Sequence, residues 1–205
     1  MQLWRYVITT DEGKAPNYDP PSVTLAICKS GIRKGADVGD LVLAFAGARL
    51  RRPPHSVVWA GRVAQKLLFS SYWNAPDFQS KKPRFSDRPD NIYEPVSPGR
   101  YRRVENTSHG PECEAGDLKG EYVLVFDQFW RIETNDELPD EWGLQMSIGS
   151  RRGHRRGDLT DERHRALIRW LTERASSTSA QPPKPPHDNG GCTPPKAKPR
   201  PPAPC

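Results

Sequence analysis

IRKGADVGDLVLAFAG, residues Ile32 to Gly47, is the stretch on which the reading of the fold turns. Ile32 to Ala36 has the composition of a short helical turn, with Gly35 limiting its length. Gly39-Asp40 is a turn pair, and LVLAFA over Leu41 to Ala46 is an apolar run of strand length. Outward from it lie further β-branched and aromatic runs at Leu3–Thr9, Val23–Cys28, Val57–Ala64 and Tyr122–Ile132. Turn residues at Asn17–Pro21 and Arg51–His55 separate them. Between Tyr72 and Ser108 the chain turns polar and proline-punctuated, and ordered loops are expected there more than sheet. Asp158 to Ala175 reads as an amphipathic helix: Leu159, Ala166, Leu167, Trp170 and Leu171 share one face, and Asp158 or Thr160 is the N-cap. The pattern predicts an α+β fold, a compact barrel or strongly bent sheet with one long helix at its end.

The 205 residues are 35% hydrophobic, enough for one domain with a core. A net charge of +6 permits a polyanionic partner without requiring one. From Ser176 to Cys205 the sequence is rich in proline and lysine with little to bury, so residues 1–175 are expected to form the domain and 176–205 a disordered basic tail. Such a tail could reach a protein partner through polyproline segments. The four cysteines show no CxxC spacing, which points to reduced, cytoplasmic usage, and no run approaches the ~20 apolar residues of a membrane span. No Walker-type loop, GxGxxG or GxSxG occurs, and the cluster His109, Glu112, Cys113, Glu114 matches no metal-site spacing. Neither a cofactor nor a metal is expected.

Several polar stretches carry chemistry or merely turn the chain. In ITTDEGKAPN, Thr9, Asp11 and Asn17 have the donors and acceptors that reading a base edge requires, and the same residues make good loop turns. Cys28 is followed by Lys29, which favours thiolate, but no histidine or carboxylate stands at a motif spacing from it. Lys29 and Arg33 suit phosphate. Tyr72 and Trp73 could stack on a base. Lys82, Asp90, Asn91 and Tyr93 mix charge, amide and aromatic groups. RRGHRRGD places His154 and Arg155 just ahead of the last helix, as an anion site or as a solvated turn.

Taken together, Tyr6–Asn17, Thr24–Arg33, Gly39-Asp40, Tyr72-Trp73, Lys82-Pro83, Asp90–Tyr93 and Gly153–Arg155 resemble the nucleotide modification associated domain family, type 2. The resembling segments run from residue 5 to about 171, with the proline tail outside them. Members of that family occur in phage and bacterial genomes, associated with the making or recognition of modified DNA bases. The middle of the chain also looks like a PUA-like barrel of the EVE or ASCH type, whose pockets hold flipped or modified bases. The resemblance thus implies a modified nucleotide, or DNA carrying one, as partner. Thr9, Asp11 and Asn17 would read the base, Tyr72, Trp73 and Tyr93 would stack, and Lys29, Arg33, Lys82 and Arg155 would hold phosphate, with Asn91 and His154 also among the nucleotide-binding residues. An enzyme on the same ligand remains the rival, with Asp11 or Asp90 as general base and Lys29 or Cys28 as nucleophile or acid.

Overall fold

A computed structural model of the chain describes residues 1–53, 55–106, 109–146 and 153–175. The expected tail, 176–205, lies outside the described residues. Eight strands and four α-helices are described: β1 (Gln2–Ile8), β2 (Val23–Leu25), α1 (Ser30–Gly35), β3 (Leu41–Ala46), β4 (Val57–Leu68), α2 (Phe69–Asn74), β5 (Tyr93–Ser97), β6 (Arg100–Arg103), α3 (Glu114–Leu118), β7 (Tyr122–Arg131), β8 (His154–Asp158) and α4 (Asp161–Arg174).

Six strands form one sheet in the order β2-β7-β4-β3-β1-β8, and β5 and β6 pair as a separate hairpin. The fold is α+β as expected, but the sheet is open, with β2 and β8 as its edges, and does not close into a barrel. Strand β1 runs parallel to β3, while every other neighbouring pair is antiparallel. The turn at Gly39-Asp40 makes that parallel pairing possible. Gly39 has φ +92°, and buried Asp40 accepts from the Gln2 amide at 2.8 Å, the Trp4 indole at 3.1 Å and the Asp37 amide at 3.0 Å. A single carboxylate therefore ties the start of β1 to the entry of β3.

The period-two alternation of β1 assigns its side chains to two faces. Leu3 joins Leu43, Phe45, Trp130 and the α4 residues Leu167, Trp170 and Leu171 on one face. Trp4, Tyr6 and Ile8 join Trp59, Phe126, Ile32 of α1 and Ala36 just after it on the other. Helix α4 confirms the C-terminal amphipathic pattern, and Thr160 is the residue that caps it, accepting from the Arg163 amide at 3.3 Å. All six residues of β3 are buried because both faces of this strand are covered.

Three local expectations are corrected. The strand begun at Val23 stops at Leu25, well before Cys28. Tyr72 and Trp73 lie in helix α2, and the polar region beyond them holds the β5–β6 hairpin. His154 and Arg155 belong to edge strand β8, which pairs with β1 and leaves both residues exposed, so the solvated-turn alternative falls. No helix among the described residues is long and apolar enough to cross a membrane.

Candidate functional site

After β2 the chain passes through buried Ala26 and Ile27 and reaches Cys28 and Lys29, which have φ of +56° and +43°. Neither is glycine, and such left-handed conformations in larger residues cost about 1–3 kcal/mol each unless the surroundings hold them. Here the surroundings do so. The Cys28 amide donates to Asp117 Oδ1 at 2.6 Å, and the Cys28 carbonyl accepts from Arg33 Nε at 2.7 Å. Arg33 is fully buried, and its other two nitrogens donate to the carbonyls of Tyr122 at 2.6 Å and Asp117 at 2.5 Å. Burial pulls the Arg33 guanidinium below its ordinary value, an effect opposed by nearby Asp117.

His109 reaches the same place from the segment that follows β6. Its amide donates to the Asn106 side chain at 2.8 Å, and its carbonyl accepts from Arg103 Nη1 at 2.9 Å, which fixes the segment after β6. The ring then spans two groups. Nε2 is 3.3 Å from Cys28 Sγ, and Nδ1 is 2.7 Å from Asp117 Oδ2, close but off the line of an ideal N–H···O bond. Tyr93 donates its hydroxyl to the same Oδ2 at 2.9 Å, and burial followed by the Asp117 charge pushes the phenol well above its usual range. His109 and Asp117 are buried, while Cys28 is partly open to solvent. The three donor atoms lie within 4.8 Å of one another, a spacing a cation could bridge. The imidazole, however, turns one nitrogen to the thiol and the other to the carboxylate, an arrangement suited to passing a proton along rather than to converging on one ion.

A second feature adjoins the first. Lys29 Nζ sits 4.3 Å from the centre of the Tyr6 ring. His154 packs on Gly31 of α1 and lies 5.4 Å from the Trp4 ring, and Arg156 lies 5.9 Å from that same ring. Strand register puts His154 opposite Tyr6 and Arg156 opposite Trp4, so both share the α1 face of the sheet with Lys29. Arg155 pairs with Arg5 and falls on the α4 face. Desolvation first, then Lys29 and Arg156, hold the His154 imidazole below its ordinary value.

The remaining residues singled out in the sequence fall into an interior group and an outer one. Asn17, Tyr72, Asp90, Asn91, Tyr93 and Arg33 are all buried, and their hydrogen bonds go to the protein itself. Asp90 accepts from Thr24 at 2.6 Å and from Tyr72 at 2.7 Å, and Asn17 accepts from buried Lys81 at 2.8 Å. The Asn91 amide donates to the Tyr72 carbonyl at 3.2 Å and to the Phe78 carbonyl at 3.1 Å. These groups tie the first loop and the 87–91 segment to β2, and in this conformation Tyr72 and Tyr93 present no face to a ligand. Burial pushes the Asp90 carboxyl up, against the pull of Lys81. Outside this network, Thr9 is exposed, Asp11 is half-buried and accepts from Tyr18 at 2.6 Å, and Lys82 covers the Trp73 ring at 3.9 Å. His109 as a partner of Cys28, Asp117 and Arg156 escaped the sequence reading. Cys28 and His109 are 81 positions apart, and no spacing rule joins them.

The open α+β sheet thus carries a thiol, an imidazole and a carboxylate beside a row of basic groups. Residues 1–188 match the family described as Nucleotide modification associated domain 2, and the chain belongs to it. The match runs past α4 into the proline-rich segment, further than the resembling motifs reached. No curated protein and no solved structure matches the chain.

Proposed function

We propose that the protein binds a nucleotide, free or within DNA, in a nucleotide-modification system, and grips its phosphate between Lys29, His154 and Arg156. The observation that carries this reading is the gathering of these three basic groups on one face, held by the Tyr6 and Trp4 rings. Like charges brought together in a partly desolvated place repel one another, and a bound phosphate relieves the repulsion through charge-assisted hydrogen bonds. Family membership supports nucleotide chemistry as the context. The base, modified or plain, would meet Thr9 and Asp11, which lie just past the end of β1, the strand that carries Tyr6. This reading needs the ridge but not a barrel pocket.

Titration of labelled single- and double-stranded oligonucleotides and of mononucleotides, with and without base modification, tests it. Binding should weaken with salt, and Arg156→Ala should lower affinity and flatten the salt dependence by about one unit of slope. The His154 ring protons should report a rise in its pKa when nucleotide is added. Equal binding by Arg156→Ala and Lys29→Ala proteins would remove the ridge as the phosphate site.

A further inference from the structure

We propose that Cys28 is the catalytic nucleophile of an acyl-transfer reaction, with His109 as its general base and Asp117 as the positioning residue for both. The inference stands apart from the phosphate ridge, since it rests on different side chains and a different chemistry.

The geometry is that of a relay. With Nδ1 held 2.7 Å from a carboxylate oxygen, the proton belongs on Nδ1, which leaves the Nε2 lone pair facing Sγ at 3.3 Å. Asp117 fixes both ends at once: Oδ1 holds the backbone amide of the nucleophile at 2.6 Å, and Oδ2 faces the imidazole of the base. Tyr93, donating at 2.9 Å, and Arg33 Nη2, 4.0 Å away, keep that carboxylate in place. Cys28 is the one residue of the three that is not buried, while the base and the carboxylate are. The left-handed backbone at Cys28 and Lys29 turns the chain sharply at the nucleophile, and strain of this kind gathers at functional positions. A purely structural cysteine needs none of this, and in a metal centre Asp117 would have to ligate while already accepting from the Cys28 amide and the Tyr93 hydroxyl.

The step balances without an oxidant or a cofactor. The Cys28 thiol gives its proton to His109 Nε2, and Sγ bonds to the carbonyl carbon of an ester or amide. The C=O electron pair moves onto oxygen and returns, expelling an alcohol or amine that takes the proton from Nε2. A thioester remains on Sγ. Water then attacks the same carbon, His109 accepts its proton, and the C–S bond breaks to release a carboxylic acid and restore the thiol. The substrate class is therefore an acylated compound.

p-Nitrophenyl acetate, an uncharged ester, is the probe, used with the full chain and with a variant in which Cys113, Cys192 and Cys205 are all replaced by alanine. Both proteins should release a burst of nitrophenolate equal to the protein present and gain one acetyl group, located on Cys28 by peptide mapping. Cys28→Ala should show neither, and His109→Gln should acylate about 10²–10⁴-fold more slowly and alter the pH profile of iodoacetamide alkylation at Cys28, with the protein still folded by circular dichroism. Three results would overturn the proposal: acylation at another cysteine, a His109→Gln protein that reacts like the wild type, or a stoichiometric metal ion in the purified protein whose removal alone exposes Cys28 to alkylation. Binding of nucleotide to the ridge is measured separately, so the two proposals succeed or fail on their own.

Discussion

Replacing Arg33 with methionine tests whether the buried guanidinium holds the Cys28 turn. Arg33 is fully buried and ends three hydrogen bonds on main-chain carbonyls, those of Cys28, Tyr122 and Asp117. Methionine fills much of the volume but donates nothing. Each stranded buried carbonyl costs about 1–3 kcal/mol, and removing one partner of a buried charge pair costs about 3–5 kcal/mol. These penalties overlap, because Asp117 is met both through its carbonyl and through its side chain, so the expected loss is about 4 kcal/mol. With a urea slope of about 2 kcal/mol per molar, the midpoint should fall by about 2 M. Arg33→Lys keeps the charge but lacks the fork, and should fall between the two proteins. Equilibrium urea unfolding followed by tryptophan fluorescence reads the loss, and Cys28 alkylation in the native state reads the turn. A loss below about 1 kcal/mol for the methionine variant, with alkylation unchanged, would mean that the turn stands without Arg33.

Asp90 predicts a pH effect. Its folded carboxyl is raised by burial above the unfolded value of about 3.9, so between those two values the folded state holds more protons and stability falls as pH rises. Asp90→Asn should lack that decline, and a constant difference between the two proteins across acidic pH would refute the assignment. Leu171→Ala removes a fully buried anchor of α4 from the core face of the sheet and should cost about 2–5 kcal/mol in urea unfolding. Thr160→Ala removes the N-cap of the same helix and should cost about 1 kcal/mol; no loss would mean that water replaces the cap. A methyl group at Gly120 would collide with the Arg33 guanidinium, whereas at Gly116 it meets nothing within 4 Å. Gly120→Ala should therefore lower both stability and Cys28 reactivity, while Gly116→Ala, in α3, should raise stability by about 0.5–1 kcal/mol.

Much of the sheet was legible because burial writes itself into local pattern. LVLAFA, VVWAGRVA and YVLVFDQFWRI became β3, β4 and β7, and the 3.6-residue period gave α4. The sheet's order was not legible, since a parallel β1–β3 pair and an open edge at β8 depend on contacts far apart in sequence. Strand β8 itself, HRRGD, carries no apolar residue, and its sequence fits an anion site or a solvated turn as well as it fits a strand. It forms a strand because β1 offers it an unpaired edge, and exposure there suits charge. The candidate site divides along the same line. Cys28, Lys29 and His154 could be named from their residue types, whereas the pairing of Cys28 with His109 and Asp117 arises only when the segment after β6 and helix α3 fold back against the end of β2. Tyr72, Asp90 and Asn91 looked like ligand groups for a physical reason: hydrogen-bonding side chains among apolar ones mark either a site or a buried network, and only coordinates separate the two.

That buried network bears on the thiol. The left-handed turn at Cys28 lies three residues beyond Leu25, the last residue of β2, a three-residue strand at the end of the sheet whose ladder is with β7. So short a strand gains little from its ladder. Its register is secured instead from the side, where Thr24 donates to Asp90 and its backbone exchanges hydrogen bonds with that of Asn17 at 2.7 and 3.0 Å. Asn17 in turn accepts from Lys81 and donates to the Arg88 carbonyl at 2.8 Å. Beyond the strand, Arg33 and Asp117 take hold of the Cys28 backbone directly. The polar interior on one side and the ion pair on the other thus fix a segment that hydrophobic packing alone would leave loose, and they do so at the residue where a shift of an ångström would part Sγ from Nε2. A fold that only had to close its core could use alanine and a longer strand at this point.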